Sequence, residues 1–317
     1  MPRQFINLDA NESAFFAREL EHIKAQSYDI KYAQLKAMGL IPISTEAGPG
    51  AESITYDQYD EVGMAKIIAN YADDLPRADV KAKQFTSTVK SIGDSFGYNI
   101  QEIRASAMAN KNLPIRKATA ARRAVDQKLN RLAWSARAAD GENGGLVGLI
   151  YNANVTKGAV TTRDGHITFA SKTADEILLD LNKACTDIIS LTKGTEIPDT
   201  LLLPIDQHAL ISDTYRSSTS DITILQAFLN THPYITKVDW VAELDAVSPI
   251  PSTLATGPTD IMIVYRRSPD ALTLEIPQPF EQLEVERRGL EYITPCHARC
   301  GGVIVYYPLS INIVEGI

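Results

Sequence analysis

Ser53–Ala69 (SITYDQYDEVGMAKIIA) and Gln84–Ile92 (QFTSTVKSI) decide the architecture. Both are rich in β-branched and aromatic residues, which favour strands. Between them lies Asn70–Lys83 (NYADDLPRADVKAK), a charged tip that contains a proline. The pattern predicts a long two-stranded arm. Ordering about 45 residues costs on the order of 1–2 kcal/mol each in backbone entropy. An isolated hairpin is marginal in water, and this one has no continuous apolar face to bury. Another surface must cover it, and neighbouring copies of the same chain are the natural candidate.

Upstream, residues 1–12 are polar and irregular. Ser13 can cap a helix over Ala14–Gln26 with Phe16, Leu20 and Ile23 on one face. A second helix is predicted over Ile30–Met38, ending at Gly39, and Ile41–Gly50 reads as a loop. Downstream, Asn99 and Glu102 form a capping-box pattern that opens a helix over Ile100–Ala109. Pro114 then starts the longest helix, which runs to Arg137. Its apolar stripe, Ala118, Ala121, Val125, Leu129, Leu132 and Ala136, keeps the helical period. A glycine-rich turn over Asp140–Ile150 leads into a short apolar strand.

From about 150 to 260 helices and strands alternate, as in a compact α/β unit. Thr173 and Glu176 open a helix through Ile177, Leu181, Cys185 and Ile188 that ends near Gly194. Thr200–Leu203 reads as a buried strand, Asp206 begins a short helix, Ser220–Asn230 is another helix, and Lys237–Leu244 another strand. The remainder is β-rich: Ile261–Arg267, Leu272–Ile276, Leu283–Arg299 and Val303–Ile313. The fold class is α+β.

The chain has 317 residues, 44% hydrophobic and 22% charged, a composition that excludes a disordered tail and a disulfide-stapled mini-domain. Lys and Arg number 31 against 39 Asp and Glu, for a net charge of −8. A protein devoted to neutralising phosphate leans the other way. Cys296 and Cys300 stand about 13 Å apart on an extended strand, too far for a disulfide, so reduced, cytoplasmic production is expected. No stretch reaches the length of an apolar membrane span, and the N-terminus lacks a secretion signal.

Gly93-Asp94-Ser95-Phe96-Gly97 matches the G-x-S-x-G nucleophile elbow. An antiparallel hairpin precedes it, however, and none of His166, His208, His232 and His297 is an obvious partner, so Gly93 and Gly97 read better as a hinge at the hairpin base. Cys296-His297-Ala298-Arg299-Cys300 supplies at most three metal ligands, and strand alternation turns His297 away from both thiols. Gly141, Gly144, Gly145 and Gly148 fit no phosphate loop. No catalytic, cofactor or metal site is expected. The basic residues of the long helix read as a solvated, ion-paired face. At the arm tip, Asp73, Asp74 and Asp79 alternate with Arg77, Lys81 and Lys83, a mixture suited to pairing with another subunit.

The order of these parts resembles the tailed-bacteriophage major capsid protein with the Hong Kong ninety-seven-type fold, which encapsulin shells share. Glu46–Val80, Arg116–Trp134 (RKATAARRAVDQKLNRLAW) and Gly145–Val155 (GLVGLIYNANV) are similar to a family of prophage capsid proteins. The resemblance implies an N-terminal arm (1–49), an extended loop (50–97) lying over an adjacent subunit, and a spine helix opening the peripheral domain (98–149). It further implies an axial domain (150–260) and returning peripheral strands (261–317). It implies pentamers and hexamers closing an icosahedral shell around double-stranded DNA held without sequence specificity. Fitting one subunit into both rings requires flexibility, which Gly93 and Gly97 would supply. Portal and decoration proteins, and a separate scaffold or none, are implied as partners, with the virion as location after synthesis in the host bacterial cytoplasm. No lysine among Lys66, Lys81, Lys83 and Lys90 matches the crosslinking chemistry of some members, so no crosslink is expected. The rival readings are an encapsulin-like cargo compartment, a serine hydrolase using Ser95, and another phage component such as a tail or neck piece.

Overall fold

The computed structural model describes residues 32–62, 79–109, 113–217, 219, 221–247 and 258–317. The helix expected over Ala14–Gln26 and the arm tip with Asp73, Asp74 and Arg77 lie outside the described residues. The helix expected over Ile30–Met38 is instead one turn, α1 (Ala37–Leu40). Pro42 ends it by holding Ile41 extended (φ −98°, ψ 131°), while Gly39 stays inside the turn. The loop that follows contributes a two-residue strand, β1 (Ile43–Ser44).

The arm is a ribbon. β2 (Ser53–Val62) and β3 (Asp79–Thr88) pair antiparallel over ten positions, from Ser53 opposite Thr88 to Val62 opposite Asp79. The second strand thus starts at Asp79 rather than Gln84, and Asp79, Lys81 and Lys83 belong to the strand and not to a tip. The ribbon ends at Val89, whose side chain is buried and whose N–H donates to the Glu52 carbonyl at 2.8 Å. β4 (Lys90–Asn99) then takes a different partner in the body. It runs unbroken through Gly93 and Gly97, and the change of partner strand falls at Val89. Gly97 serves close approach instead, because a Cβ there would meet the Tyr292 carbonyl oxygen at 3.3 Å.

α2 (Ile100–Met108) carries the expected capping box: Asn99 Oδ1 accepts from the Glu102 N–H at 2.7 Å, and Glu102 accepts from the Asn99 N–H. α3 (Leu113–Ser135) buries Ala121, Val125, Leu129 and Leu132, as its period predicts, together with Ala133 and Trp134. The apolar stretch Gly145–Ile150 is not a strand. It returns under the end of α3, where helix carbonyls lack intrahelical donors. The N–H groups of Leu149, Ile150 and Gly148 donate to the carbonyls of Ala133, Trp134 and Ala136 at 2.8, 3.1 and 2.9 Å. A Cβ on Gly148 would stand 2.6 Å from the Trp134 carbonyl oxygen, so only glycine admits this contact.

The chain continues through β5 (Thr156–Ala159), α4 (Ala174–Leu191), β6 (Thr200–Leu203) and α5 (Ile205–Asp213). α6 (Ile224–Thr231) starts later than Ser220 because Thr223 and Gln226 form its capping box. β7 (Lys237–Trp240), β8 (Ile261–Tyr265) and β9 (Leu272–Glu275) follow. The single strand expected over Leu283–Arg299 is three strands, β10 (Gln278–Gln282), β11 (Glu286–Arg288) and β12 (Glu291–Cys300). Gly289, at φ +63°, turns β11 into β12. β13 (Gly302–Val305) and β14 (Ile311–Glu315) close the chain.

A five-stranded mixed sheet, in the order β5-β14-β8-β6-β7, holds the body together. Its central strands are buried on both faces, with period two. Ile261, Ile263, Tyr265, Ile311, Ile313 and Leu202 join the cluster around α3. Met262, Val264, Val314, Leu201 and Leu203 join the cluster of α4 and α6. β8 and β14 therefore complete the sheet of the α/β unit, and the boundary expected at 260/261 cuts through that sheet. In the second large sheet β12 is central: β4 pairs with all ten of its residues on one side, and β10 and β11 lie end to end on the other. Pro295, in mid-strand, accepts from Leu283 N–H through its carbonyl at 2.9 Å. Its missing N–H thus faces the gap between β10 and β11, where the ladder requires no donor. β1, β9 and β13 form a smaller sheet.

Gly148→Ala is expected to cost on the order of 1–3 kcal/mol, read as a lower urea midpoint. Gly158→Ala, with open space at its Cβ position, should change it by less than about 0.5 kcal/mol.

Candidate assembly surface

The ribbon is anchored to the body at its base. Tyr56 stacks on Phe85 at 5.3 Å and meets Tyr306 edge-on at 4.9 Å. Ser87 Oγ donates to the Gly301 carbonyl at 3.0 Å, and Ile54 packs over the same glycine, where a Cβ would stand 3.0 Å from its Cδ1. Ile54, Tyr56, Phe85 and Ser87 share one face by register. Beyond them the support ends. Gln58, Tyr59 and residues 80–84 are exposed on both faces, Tyr59 at 64% and Val80 at 59%. A cleft of about 950 Å³ separates this part from Ser44–Glu46 and Pro269–Thr273. The cross-strand Thr55–Thr86 hydroxyl contact (3.1 Å) and Gln84–Asp57 hydrogen bond (3.1 Å) hold the strands to each other, not to the body.

A second unsupported stretch escaped the sequence reading. Glu281–Glu291, along β10, β11 and the start of β12, has no buried residue, and Leu283, Val285 and Leu290 stand 48%, 51% and 68% exposed. Three strand-type apolar residues set among Glu281, Glu284 and Glu286 gave the signal. By contrast, the junction of β4 with α2 and α3 is tied down: Lys117 Nζ donates to the Gly97 carbonyl at 2.7 Å and to Glu102 at 2.9 Å. The hydrogen bond from Lys117 holds the Glu102 carboxyl below its usual range, helped by the Asn99 N–H.

The chemical candidates fare as follows. Ser95 lies in the middle of β4 opposite Pro295, not on a strand-to-helix turn, so it has no elbow geometry. His297 stands diagonally across the ladder, opposite Gly93, and no hydrogen bond joins it to Ser95 among the described residues. His232 is held by Asn182 and Tyr234, and His166 by Glu176. Arg163 and Lys172 share the buried Asp180 carboxylate at 3.3 and 2.6 Å, while Arg163 Nε is buried without a hydrogen-bond partner among the described residues. Cys185, Cys296 and Cys300 are free and buried. Among the described residues no group of His, Cys, Asp or Glu is placed to hold a metal ion, and no helix is long and apolar enough to cross a membrane.

The comparisons point the same way as the ribbon. The family profile described as major capsid protein matches residues 63–317. The capsid of Myoviridae phage XM1 shares the fold with a TM-score of 0.80 at 19% identity, over 96% of this chain and 99% of that chain. A chain of Mycobacterium phage Ogopogo matches with a TM-score of 0.59 at 12% identity, over 96% and 99%. A virus-like particle from Pyrococcus furiosus matches with 0.55 at 14% identity, over 88% and 91%. No curated protein matches the sequence. The fold is thus the phage capsid fold, of the Hong Kong ninety-seven type.

Burial pushes the Cys185 thiol up to about 12 and that of Cys300 up to about 11. At pH 8 both should alkylate with iodoacetamide about a hundredfold or more slowly than a free cysteine, and rapidly in urea. Labelling of the folded protein at the free rate would contradict this burial.

Proposed function

This chain belongs to the major capsid protein family, and from that premise we propose that it forms an icosahedral shell of pentamers and hexamers around double-stranded DNA in a tailed phage or prophage virion. The observation that carries the reading is the ribbon. Its ten-pair ladder is complete, yet from Gln58 outward its described strand side chains are exposed on both faces. Such a ribbon gains a covered face only from another molecule, and repetition of that contact by symmetry closes rings. In this reading β2 and β3 lie over the adjacent subunit, with Asp79, Lys81 and Lys83 of the strand and Asp73, Asp74 and Arg77 among the contacts. Many such contacts, each weak, hold a shell by multiplicity.

The spine helix and the β4–β12 sheet form the peripheral region, and the α4–α6 unit forms the axial one. Portal, decoration and scaffold proteins are the further partners that such a shell engages, and synthesis takes place in the host bacterial cytoplasm. The role is structural: Ser95 lies in mid-strand and no base is hydrogen-bonded to it among the described residues, whereas a hydrolase needs both a turn and a base. An encapsulin-like compartment is not favoured, because the family match is to capsid proteins.

Negative-stain microscopy of the expressed protein should show closed shells or capsomer rings, and tubes or solitary particles at high concentration would overturn the reading. Replacing residues 58–83 by an Asn-Gly turn that joins Asp57 to its cross-strand neighbour Gln84 should leave the unfolding midpoint within a few degrees and abolish shells. Normal particles from that variant would remove the ribbon from the assembly contact.

A further inference from the structure

A contact that closes a ring is consumed within it. Each copy lays its ribbon over one neighbour and receives the ribbon of the other, so a closed ring has no ribbon left to offer outside. Rings can then join into a shell only through another surface. The end of the β4–β12 sheet at Asn99 and Glu291 supplies one. It lies nine ladder positions from Lys90, where the ribbon enters the body, a distance of about 30 Å along the strand.

The parts of this end adjoin one another. The Gly289 turn brings Leu290 beside the start of α2, where the Leu290 carbonyl accepts from the Ile100 N–H at 3.1 Å. Next to the turn, Tyr98, Tyr292 and Arg287 form one cross-strand row, with the two rings stacked at 5.8 Å. α2 has nine residues, and none is buried. A helix that short draws its stability from packing, and here the body provides little. Ile103 is 37% exposed and Met108 94%. With Leu283, Val285 and Leu290 they leave an apolar surface of the kind that marks an interaction site. Among the described residues no strand pairs with the outer edges of β10 and β11.

Charge says what covers it. Residues 281–286 carry Glu281, Glu284 and Glu286 and no cation, whereas Arg287, Arg288 and, on α2, Arg104 carry the opposite sign. Arg288 holds Glu286 at 3.0 Å, but Glu284 and Arg104 have no hydrogen-bond or ion-pair partner among the described residues. A partner of one sign, such as a polyanion, would meet its own charge on one limb of this surface. Another copy of the same surface, turned so that acidic limb meets basic limb, satisfies both. We infer that Glu281–Leu290 and α2 form a second contact between copies, joining neighbouring rings acidic limb to basic limb; this rests on the shell reading above. The ribbon then makes the ring, and this corner joins ring to ring.

The test is charge exchange in the full chain, read by sedimentation velocity and negative-stain microscopy. Glu281→Arg with Glu284→Arg makes both limbs basic, and Arg104→Glu with Arg288→Glu makes both acidic. Like charges set against each other across a contact weaken it strongly, so either pair should raise the concentration at which shells form by at least about tenfold and leave free rings. The chain with all four changes restores opposite limbs and should close shells again, a rescue that a merely misfolded variant would not show. Shells formed as readily by both two-residue variants as by the unchanged chain would overturn the inference. Loss of rings together with shells would also overturn it, as would failure of the four-residue chain to recover them. The unchanged chain keeps the two questions apart: if it closes shells and the charge variants do too, this contact alone fails, whereas if it forms neither rings nor shells the capsid reading fails and this contact with it.

Discussion

Backbone hydrogen bonds alone do not hold a β-ribbon in water; it needs a buried face. β2 and β3 satisfy ten positions of ladder, and Ile54, Tyr56 and Ser87 tie the ribbon's base to the body. Past Asp57 the side chains of Tyr59 and Val80 are exposed, and among the described residues no third strand pairs with either edge. An exposed edge of this length is a template for association. In the shell proposed above that hazard becomes the means of assembly, with another copy as the partner that covers it.

The body is built to hold that ribbon steady. The five-stranded sheet is packed on both faces, by α3 on one and by α4 and α6 on the other. The Gly145–Ile150 return closes the end of α3 and brings the glycine-rich turn against Lys90. β4 carries the ribbon's load into β12 through a ten-residue ladder, and Lys117 ties that ladder to the helices. The rigid parts are therefore those that must keep one shape in every subunit. The exposed parts, the ribbon beyond Asp57 and Glu281–Glu291, are those that the proposed shell leaves for contact with other molecules.

Much of this was legible in the sequence, for physical reasons. Capping boxes at Asn99, Thr173 and Thr223 involve neighbours three residues apart, so local sequence reveals them; the last was missed and cost four residues at the start of α6. The stripe of α3 and the strand Thr200–Leu203 followed from periodicity and unbroken apolar character. The misreadings share one cause, tertiary context. Gly145–Ile150 has a strand's composition but serves the carbonyls of Ala133, Trp134 and Ala136, which no local pattern announces. The pairing of Gly93 and Gly97 with a strand two hundred residues away is likewise invisible in local sequence. Ser95 shows the same limit: its motif is complete, and its position opposite Pro295 removes the chemistry. The sheet membership of β8 and β14 likewise depends on strands distant in the chain.

The most direct test of the account is hydrogen–deuterium exchange of the ribbon amides in dissociated subunits and in assembled particles at the same pH. In dissociated subunits the amides of residues 58–62 and 79–83 should exchange far faster than those of Ile261–Tyr265, and in particles they should slow by at least about a hundredfold, the protection of a covered ladder. Equal protection in both states would mean that the ribbon is stable without a neighbour, which would contradict the account.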